Sequence, residues 1–319
     1  MRKGAGSNPA RSTMGPWSSG YDVTLTRWRS WVRIPAGPPF LKSPSSFNCG
    51  RAMKIILASA RDPAGQNIMA QLLKFFDFKQ ANIPNVRAAH VCGDVLAATV
   101  DSVTQLASLP VAAEEVIVAS RHASESGKPA LTAHAPGEIE KRELAVASPP
   151  TIKSALKALA RMRDEFELAY EVSLEATHHG PTKLDVPVTF VEVGSSQKQW
   201  QDKKAAEAAA RAIMEAAINP AKGPQAIGFG GPHYAPRHTE VVLRTDVCIG
   251  HIIPKHVKVD EGLVRLAMER TRDGVNLLAL DWKGMGAGTR AETLKIATQL
   301  GVAAIREHQL LREVRNSRR

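Results

Sequence analysis

The chain has no apolar run near the roughly 18 residues that a bilayer-spanning helix requires, so no membrane span is expected. Its three cysteines, Cys49, Cys92 and Cys248, are odd in number and show no CxxC spacing. That argues against a disulfide framework or a cysteine-rich zinc site and suits a reducing cytoplasm. No glycine pattern matches a Walker A loop or a GxGxxG fingerprint, which removes the two commonest nucleotide cradles. There is no internal repeat and no long linker. What remains is 319 residues, 44% hydrophobic and 23% charged: ordinary globular composition, enough for one large domain or two modest ones.

Acidic residues are nearly missing from the first 52 positions, which hold eight basic residues and only Asp22 as an acid. That segment carries +7 of the formal +11, leaving +4 for the other 267 residues. A mildly basic body can steer an anionic partner without proving one. The Arg-, Ser- and Pro-rich head could be read as a transit peptide. A better account is that Gly6-Ser7-Asn8-Pro9 and Trp31-Val32-Arg33-Ile34-Pro35 can both be encoded by GGTTCGAATCC, the T-loop sequence of tRNA genes, in two frames about one tRNA gene apart. Residues 1–52 are therefore expected to be translated tRNA-gene sequence, disordered or weakly helical, with the folded domain spanning 53–308. The basic tail, 309–319, is expected to fray.

From Met53 the pattern is that of an α/β protein. Lys54–Ala58 and Glu115–Ala119 read as buried strands, and Asp62-Pro63 as a helix start. Thr151–Glu165 and alanine-rich Lys198–Ile218 read as helices, the second being the longest. Strands are expected at 169–176, 186–194, 225–229, 249–253 and 275–280, and helices at 259–272 and 289–300. Alternation of this kind implies a mostly parallel sheet with helices on both faces and sites at the carboxyl ends of strands.

Histidines gather at such ends. Glu175-Ala176-Thr177-His178-His179-Gly180-Pro181-Thr182 is the strongest candidate. Its imidazoles suit metal binding or proton transfer, and Glu175 could be a general base, an orienting partner or a ligand. Gly230-Gly231-Pro232-His233-Tyr234-Ala235-Pro236 places His233 after glycines that permit close backbone approach. His238 reads as structural. Ser120-Arg121-His122 and Leu131-Thr132-Ala133-His134 give a weaker pair, for which solvated loop histidines are the plain alternative. Phe190–Ser196 ends a strand in small polar residues that could hold an anion or simply cap a helix. Asp281-Trp282-Lys283-Gly284 offers a cation for phosphate and an indole that could stack on a base or pack in the core.

Taken together, SRHAS at 120–124, LTAH at 131–134, EATHHGPT at 175–182, FVEVGSS at 190–196, HYAP at 233–236, GHIIPK at 250–255 and DWKG at 281–284 resemble the archaeal- and plant-type D-aminoacyl-tRNA deacylases. The resemblance runs from Met53 to about His308. Pro232 and Glu138 depart from it, standing where a glycine and an asparagine are expected. It implies hydrolysis of the ester joining a D-amino acid to the tRNA 3′ end, Zn²⁺ dependence, and a fold similar to phosphorylases and peptidyl-tRNA hydrolases. Glu175, His178, His179 and His233 would then be catalytic, with His178, His179, His233, His122 and His134 as candidate metal ligands. Ser195, Lys255, Asp281 and Lys283 would hold the terminal adenosine and phosphates, in a monomer or small homo-oligomer. The competing readings are a zinc amidohydrolase or peptidase acting on small substrates, and a non-catalytic tRNA-binding module.

Overall fold

A computed structural model describes residues 53–317, with side chains to Arg312. The reading of residues 1–52 lies outside the described residues. In chain order the elements are β1 (Met53–Ser59), α1 (Pro63–Phe75), β2 (Lys79–Ala81), β3 (Ala88–Cys92), β4 (Val95–Val100), β5 (Ala113–Ala123), β6 (Ala130–His134), β7 (Gly137–Glu138), β8 (Glu143–Leu144), α2 (Pro149–Glu165), β9 (Glu171–Leu174) and β10 (Val188–Ser195). The second half continues with α3 (Gln197–Trp200), α4 (Lys203–Ile218), β11 (Gln225–Phe229), α5 (Pro236–Arg244), β12 (Cys248–Ile253), α6 (Glu261–Glu269), β13 (Leu277–Leu280), α7 (Ala287–Leu300), β14 (Ala303–Arg306) and α8 (Glu307–Ser317).

The α/β architecture with helix-flanked, mostly parallel sheet is as the alternation implies, but the strands divide between two main sheets. The larger runs β2-β3-β4-β1-β5-β10-β6-β9, and the smaller runs β12-β11-β13-β14 with every pair parallel. Within the larger sheet β4, β1, β5 and β10 are parallel. β6 runs against β10, and β9 runs with β6. The carboxyl ends of β6 and β9 therefore point the opposite way from those of their parallel neighbours. This reversal positions the site.

One face of the larger sheet buries Ile55, Leu57, Val116, Val118, Val188 and Phe190 against the chain between Ile83 and Val111. In the smaller sheet Ile227, Phe229, Leu278 and Leu280 pack on Leu263 and Val264 of α6 and Ile296 of α7. Helix α1 begins as read, with the Asp62 side chain accepting from Gly65 N–H and Pro63 in the first turn. Helix α2 bridges the sheets, and the buried Lys153 on it satisfies the end of α5. Its ammonium donates to the Val242 and Thr245 carbonyls at 3.1 and 2.5 Å, oxygens that a helix C-terminus leaves without partners, and to Val247 O in the following loop at 2.9 Å.

Several boundaries differ from the sequence reading. The 198–218 helix is broken, because Asp202 leaves the helix to cap α4 through Lys204 and Ala205 N–H. That makes α2, at 17 residues, longer than α4 at 16. The 259–272 helix is confined to α6, since Asp260 caps its start through Leu263 N–H. Strands β2 to β4 escaped the reading; β3 and β4 form a hairpin turning at Gly93 and Asp94. The tail expected to fray instead continues as helix to Ser317.

Candidate active site

Three segments meet where the two sheets join. After β9, Glu175 forms a bridge with Tyr234 of the loop after β11. Ala176 N–H donates to His233 O at 2.7 Å and Thr177 N–H to Ile252 O at 3.0 Å. The β9 loop is thereby stitched onto the carboxyl edge of the smaller sheet. On the other side, Gly137 N–H donates to His179 O at 2.6 Å, and His134, the last residue of β6, stacks on the His178 ring at 4.3 Å. Gly230 and Gly231 carry φ of +91° and +81°, so the His233 loop uses the left-handed backbone that glycine tolerates. A cavity of about 230 Å³ opens here, lined by residues 137–141, 176–179, His233, Pro254, His256 and Val257.

Glu175 is the hub. Its carboxylate is buried, with Oε2 2.8 Å from His233 Nε2 and 3.7 Å from His178 Nε2, and Oε1 3.2 Å from His122 Nδ1. Burial opposes its charge, but the hydrogen bonds from His122 and His233 win and hold it well below the usual carboxylate range. Behind it lies Glu192 of β10, whose Oε2 is 3.6 Å from the same His122 Nδ1. Burial and then the charge of Glu175 push Glu192 upward, against the His122 hydrogen bond. His122 is disfavoured as a cation by burial, yet its bonds to the two carboxylates raise it to about 11. Its Nε2 meets the Tyr234 hydroxyl at 2.7 Å. Both nitrogens of His122 are thus engaged.

The neighbouring histidines are held differently. His178 Nδ1 donates to Ala176 O and His179 Nδ1 to Gly180 O, each at 2.8 Å. A backbone carbonyl on Nδ1 fixes the tautomer and leaves Nε2 with its lone pair. Burial lowers both groups, and the neighbouring His179 helps bring His178 to about 4. His134 is fully buried with neither ring nitrogen hydrogen-bonded, and burial followed by the proximity of His178 pushes it far down. The available nitrogens of His134, His178 and His179 lie within 4.8 Å of one another, as do the donor atoms of Glu175, His178 and His233 and of His122, Glu175 and Glu192.

Residues 109–305 match the family model described as D-aminoacyl-tRNA deacylase. The chain belongs to the D-aminoacyl-tRNA deacylase family. Among curated relatives bearing that name, the Methanosarcina mazei protein is 36% identical over 82% of this chain and 95% of its own length. The Thermococcus onnurineus and Pyrococcus horikoshii proteins are 36% and 34% identical over 80% of this chain and their full lengths. A crystal structure of a conserved protein of unknown function superposes with a TM-score of 0.76 and 28% identity, covering 82% of this chain and 97% of that one.

Within this deacylase-family chain, Glu175, His122, His134, His178, His179 and His233 all converge, but His122 lies inside β5 rather than on a loop. The extended β5 ladder, paired with β10 through Ala123, carries it there. Ser195 makes no contact with this cluster. It pairs with Ala123, one register step beyond His122, and its hydroxyl donates to Lys128 O at 2.5 Å. Next to it, Ser196 opens α3 with its amide and hydroxyl donating to Gln199 Oε1. Asp281 is buried and accepts from Gly284 N–H at 3.0 Å, so it shapes its loop. Lys255 and Lys283 are on loops beside the His233 turn. His238 is structural, as read: it is buried with Nδ1 2.6 Å from Glu307. Two site members were missed. Glu192 could have been found as a lone acid in the apolar run Val188–Val193, because a buried carboxylate needs a partner. Tyr234 carried no such signal.

Proposed function

We propose that this cavity hydrolyses the ester between a D-amino acid and the 3′-terminal ribose of tRNA, releasing free D-amino acid and tRNA in the cytoplasm. The observation that carries the reading is the convergence of the EATHHGPT and HYAP segments on one cavity in a chain of this family. A carboxylate–imidazole pair, Glu175–His233, and a set of neutral imidazoles stand side by side there.

The Glu175 carboxylate holds the proton of His233 on Nε2, leaving Nδ1 as the atom that accepts one. His233 takes a proton from the attacking water as its oxygen bonds to the ester carbon. It returns that proton to the ribose oxygen as the carbon–oxygen ester bond breaks. Glu175 remains ionised and stabilises the transient imidazolium. His122 orients Glu175 from behind, and in this reading it is not a metal ligand.

The neutral donor set fits zinc. His134, His178 and His179 would hold the ion: two have Nδ1 anchored on carbonyls, and the third is buried with no other partner. When bound, zinc would lower the pKa of a water and polarise the ester carbonyl. Discrimination against L-aminoacyl esters would come from the cavity wall at 137–141, where a rigid pocket rejects the wrong hand through a clash or an unpaired polar group.

The test incubates the full chain with matched D- and L-aminoacyl-tRNA, with and without a chelator. Release of the D-amino acid is expected, with little action on the L form, loss on chelation and recovery with added zinc. Equal hydrolysis of both hands would make the protein a general aminoacyl esterase, and no hydrolysis of either would remove the reading.

A further inference from the structure

The smaller sheet ends on a single rung. Ile253 of β12 pairs with Phe229 of β11, Phe229 with Leu280 of β13, and Leu280 with Arg306 of β14. Neighbouring strands sit roughly 4.8 Å apart, so the rung spans about 14 Å. The turns that leave it are bonded side by side: Lys255 N–H donates to Gly231 O at 2.9 Å, and Gly231 N–H to Gly284 O at 3.3 Å. Lys255 and His256 follow β12, His233 follows β11, Trp282 and Lys283 follow β13, and Arg306 closes β14. His233 and His256 line the cavity. The rest of the edge leads away from it.

At the far end of this edge a cationic plate has been assembled. The Arg306 guanidinium lies 3.7 Å over the Trp282 ring, and that of Arg290 lies 4.9 Å from it. Trp282 therefore supports guanidinium groups instead of offering a bare face to a base. Stacking fixes the plane of an arginine and turns its N–H groups outward, the arrangement that recognises phosphate. The outer face of such a guanidinium is itself a platform for an unpaired base. Among the described residues, Lys255, Lys283, Arg290 and Arg306 make no ion pair, and the Arg290 Nε, buried against the protein, has no hydrogen-bond partner. Two carboxylates lie near these four cations: Asp281, which accepts from Gly284 N–H, and Glu307, whose Oε1 lies 2.6 Å from His238 Nδ1. Four cations against two acids leave the edge net positive and open to an external anion.

We propose that this edge is a clamp for the single-stranded 3′ end of a polynucleotide, with the Trp282–Arg306–Arg290 stack and Lys283 gripping nucleotides that precede the one in the cavity. The inference builds on the deacylase reading, because the cavity must receive the terminal ribose for the edge to receive what precedes it. The Glu175–His233 pair handles the ester, while the clamp contributes binding that is independent of the amino acid.

Two measurements separate the clamp from the chemistry. The first is fluorescence anisotropy of a labelled short single-stranded RNA ending in CCA, titrated with the full chain across a salt series. Replacing both Arg306 and Lys283 by Ala should weaken binding about tenfold and lower the log–log salt slope by about one for each phosphate no longer neutralised. Arg306→Lys, which keeps charge and loses the stacking plane, should restore the slope but only part of the affinity. The second compares D-aminoacyl-tRNA with 3′-D-aminoacyl-adenosine, which carries no phosphate. The double variant should raise KM for the tRNA about tenfold more than for the adenosine ester. Unchanged RNA affinity in a variant with wild-type circular dichroism, or equal losses on the two substrates, overturns the clamp. RNA binding that behaves as described beside absent deacylation would instead overturn the deacylase reading alone.

Discussion

Two groups of histidines at the site use the same side chain for opposite ends. In one, His122 and His233 face carboxylates, and His122 is raised to about 11 by Glu175 and Glu192 in spite of its burial. In the other, His178 and His179 face backbone carbonyls through Nδ1, and burial drives both down. The carboxylates favour the charged form of His122, whereas a carbonyl on Nδ1 leaves His178 and His179 as neutral rings with a free lone pair. His178 belongs to both groups of donors, because its Nε2 also lies 3.7 Å from Glu175. In the proposed reading this difference in partners divides the labour among histidines that are identical as letters.

The comparison is broken most severely by Glu175→Gln. Loss of the charge that fixes His233 should lower kcat about 10²–10⁴-fold, the range for a general acid–base group, while bound zinc measured by elemental analysis stays near wild type. Zinc lost along with activity would place Glu175 among the ligands and erase the distinction between the two groups. Next in size, His178→Ala and His179→Ala should each reduce turnover about a hundredfold and reduce bound zinc in parallel. Their circular-dichroism spectra should be unchanged, since neither side chain fills the core. His122→Ala should lower kcat without releasing zinc, and metal loss in that variant would return His122 to the ligand set.

A smaller effect concerns stability. His251 is fully buried, with Nδ1 3.2 Å from the Thr177 hydroxyl and Nε2 3.1 Å from Ala145 O, and burial brings it down to about 4 from 6.5. A depressed histidine binds its proton more readily in the unfolded chain. Stability should therefore be intact above about pH 6.5, fall as the pH drops from there to about 4, and level off below. For the full shift the linkage amounts to about 3 kcal/mol, at 1.36 kcal/mol per unit. Urea melts at pH 7 and pH 4.5 test this, and His251→Gln should shrink the difference, leaving the part that the depressed His134, His178 and His179 contribute. If His251→Gln leaves that difference as large as in wild type, His251 is not the group responsible. The smallest effect is expected from removing residues 1–52: melting temperature and D-aminoacyl-tRNA turnover should match the full chain, and a loss in either would give that segment a structural role.

Much of this was legible locally. The buried run after Met53, the Asp62-Pro63 helix start and the glycines before His233 each obey rules that act over a few residues, and the structure keeps them. The two richest histidine segments announced themselves by composition. Short β2 and β3 were less visible, because their exposed, mixed residues lack the continuous apolar run that marked β1. Charge was the other missed cue: Glu192 in an apolar strand signals a buried partner without naming it.

By itself, then, the sequence determined the α/β alternation, the caps and turns, and which loops carry imidazoles, since each depends on periodicity or backbone preference within one element. Only the tertiary structure decided the division into two sheets and the reversal of β6 and β9 that brings their ends to the His233 loop. It also decided the partners. Glu175 and His233 are 58 residues apart, and His122 and Tyr234 are 112 apart. No short-range rule joins residues so distant. Their pairing, and with it the raised His122 and the lowered His178, follows from strand order and burial, which exist only once the chain has folded.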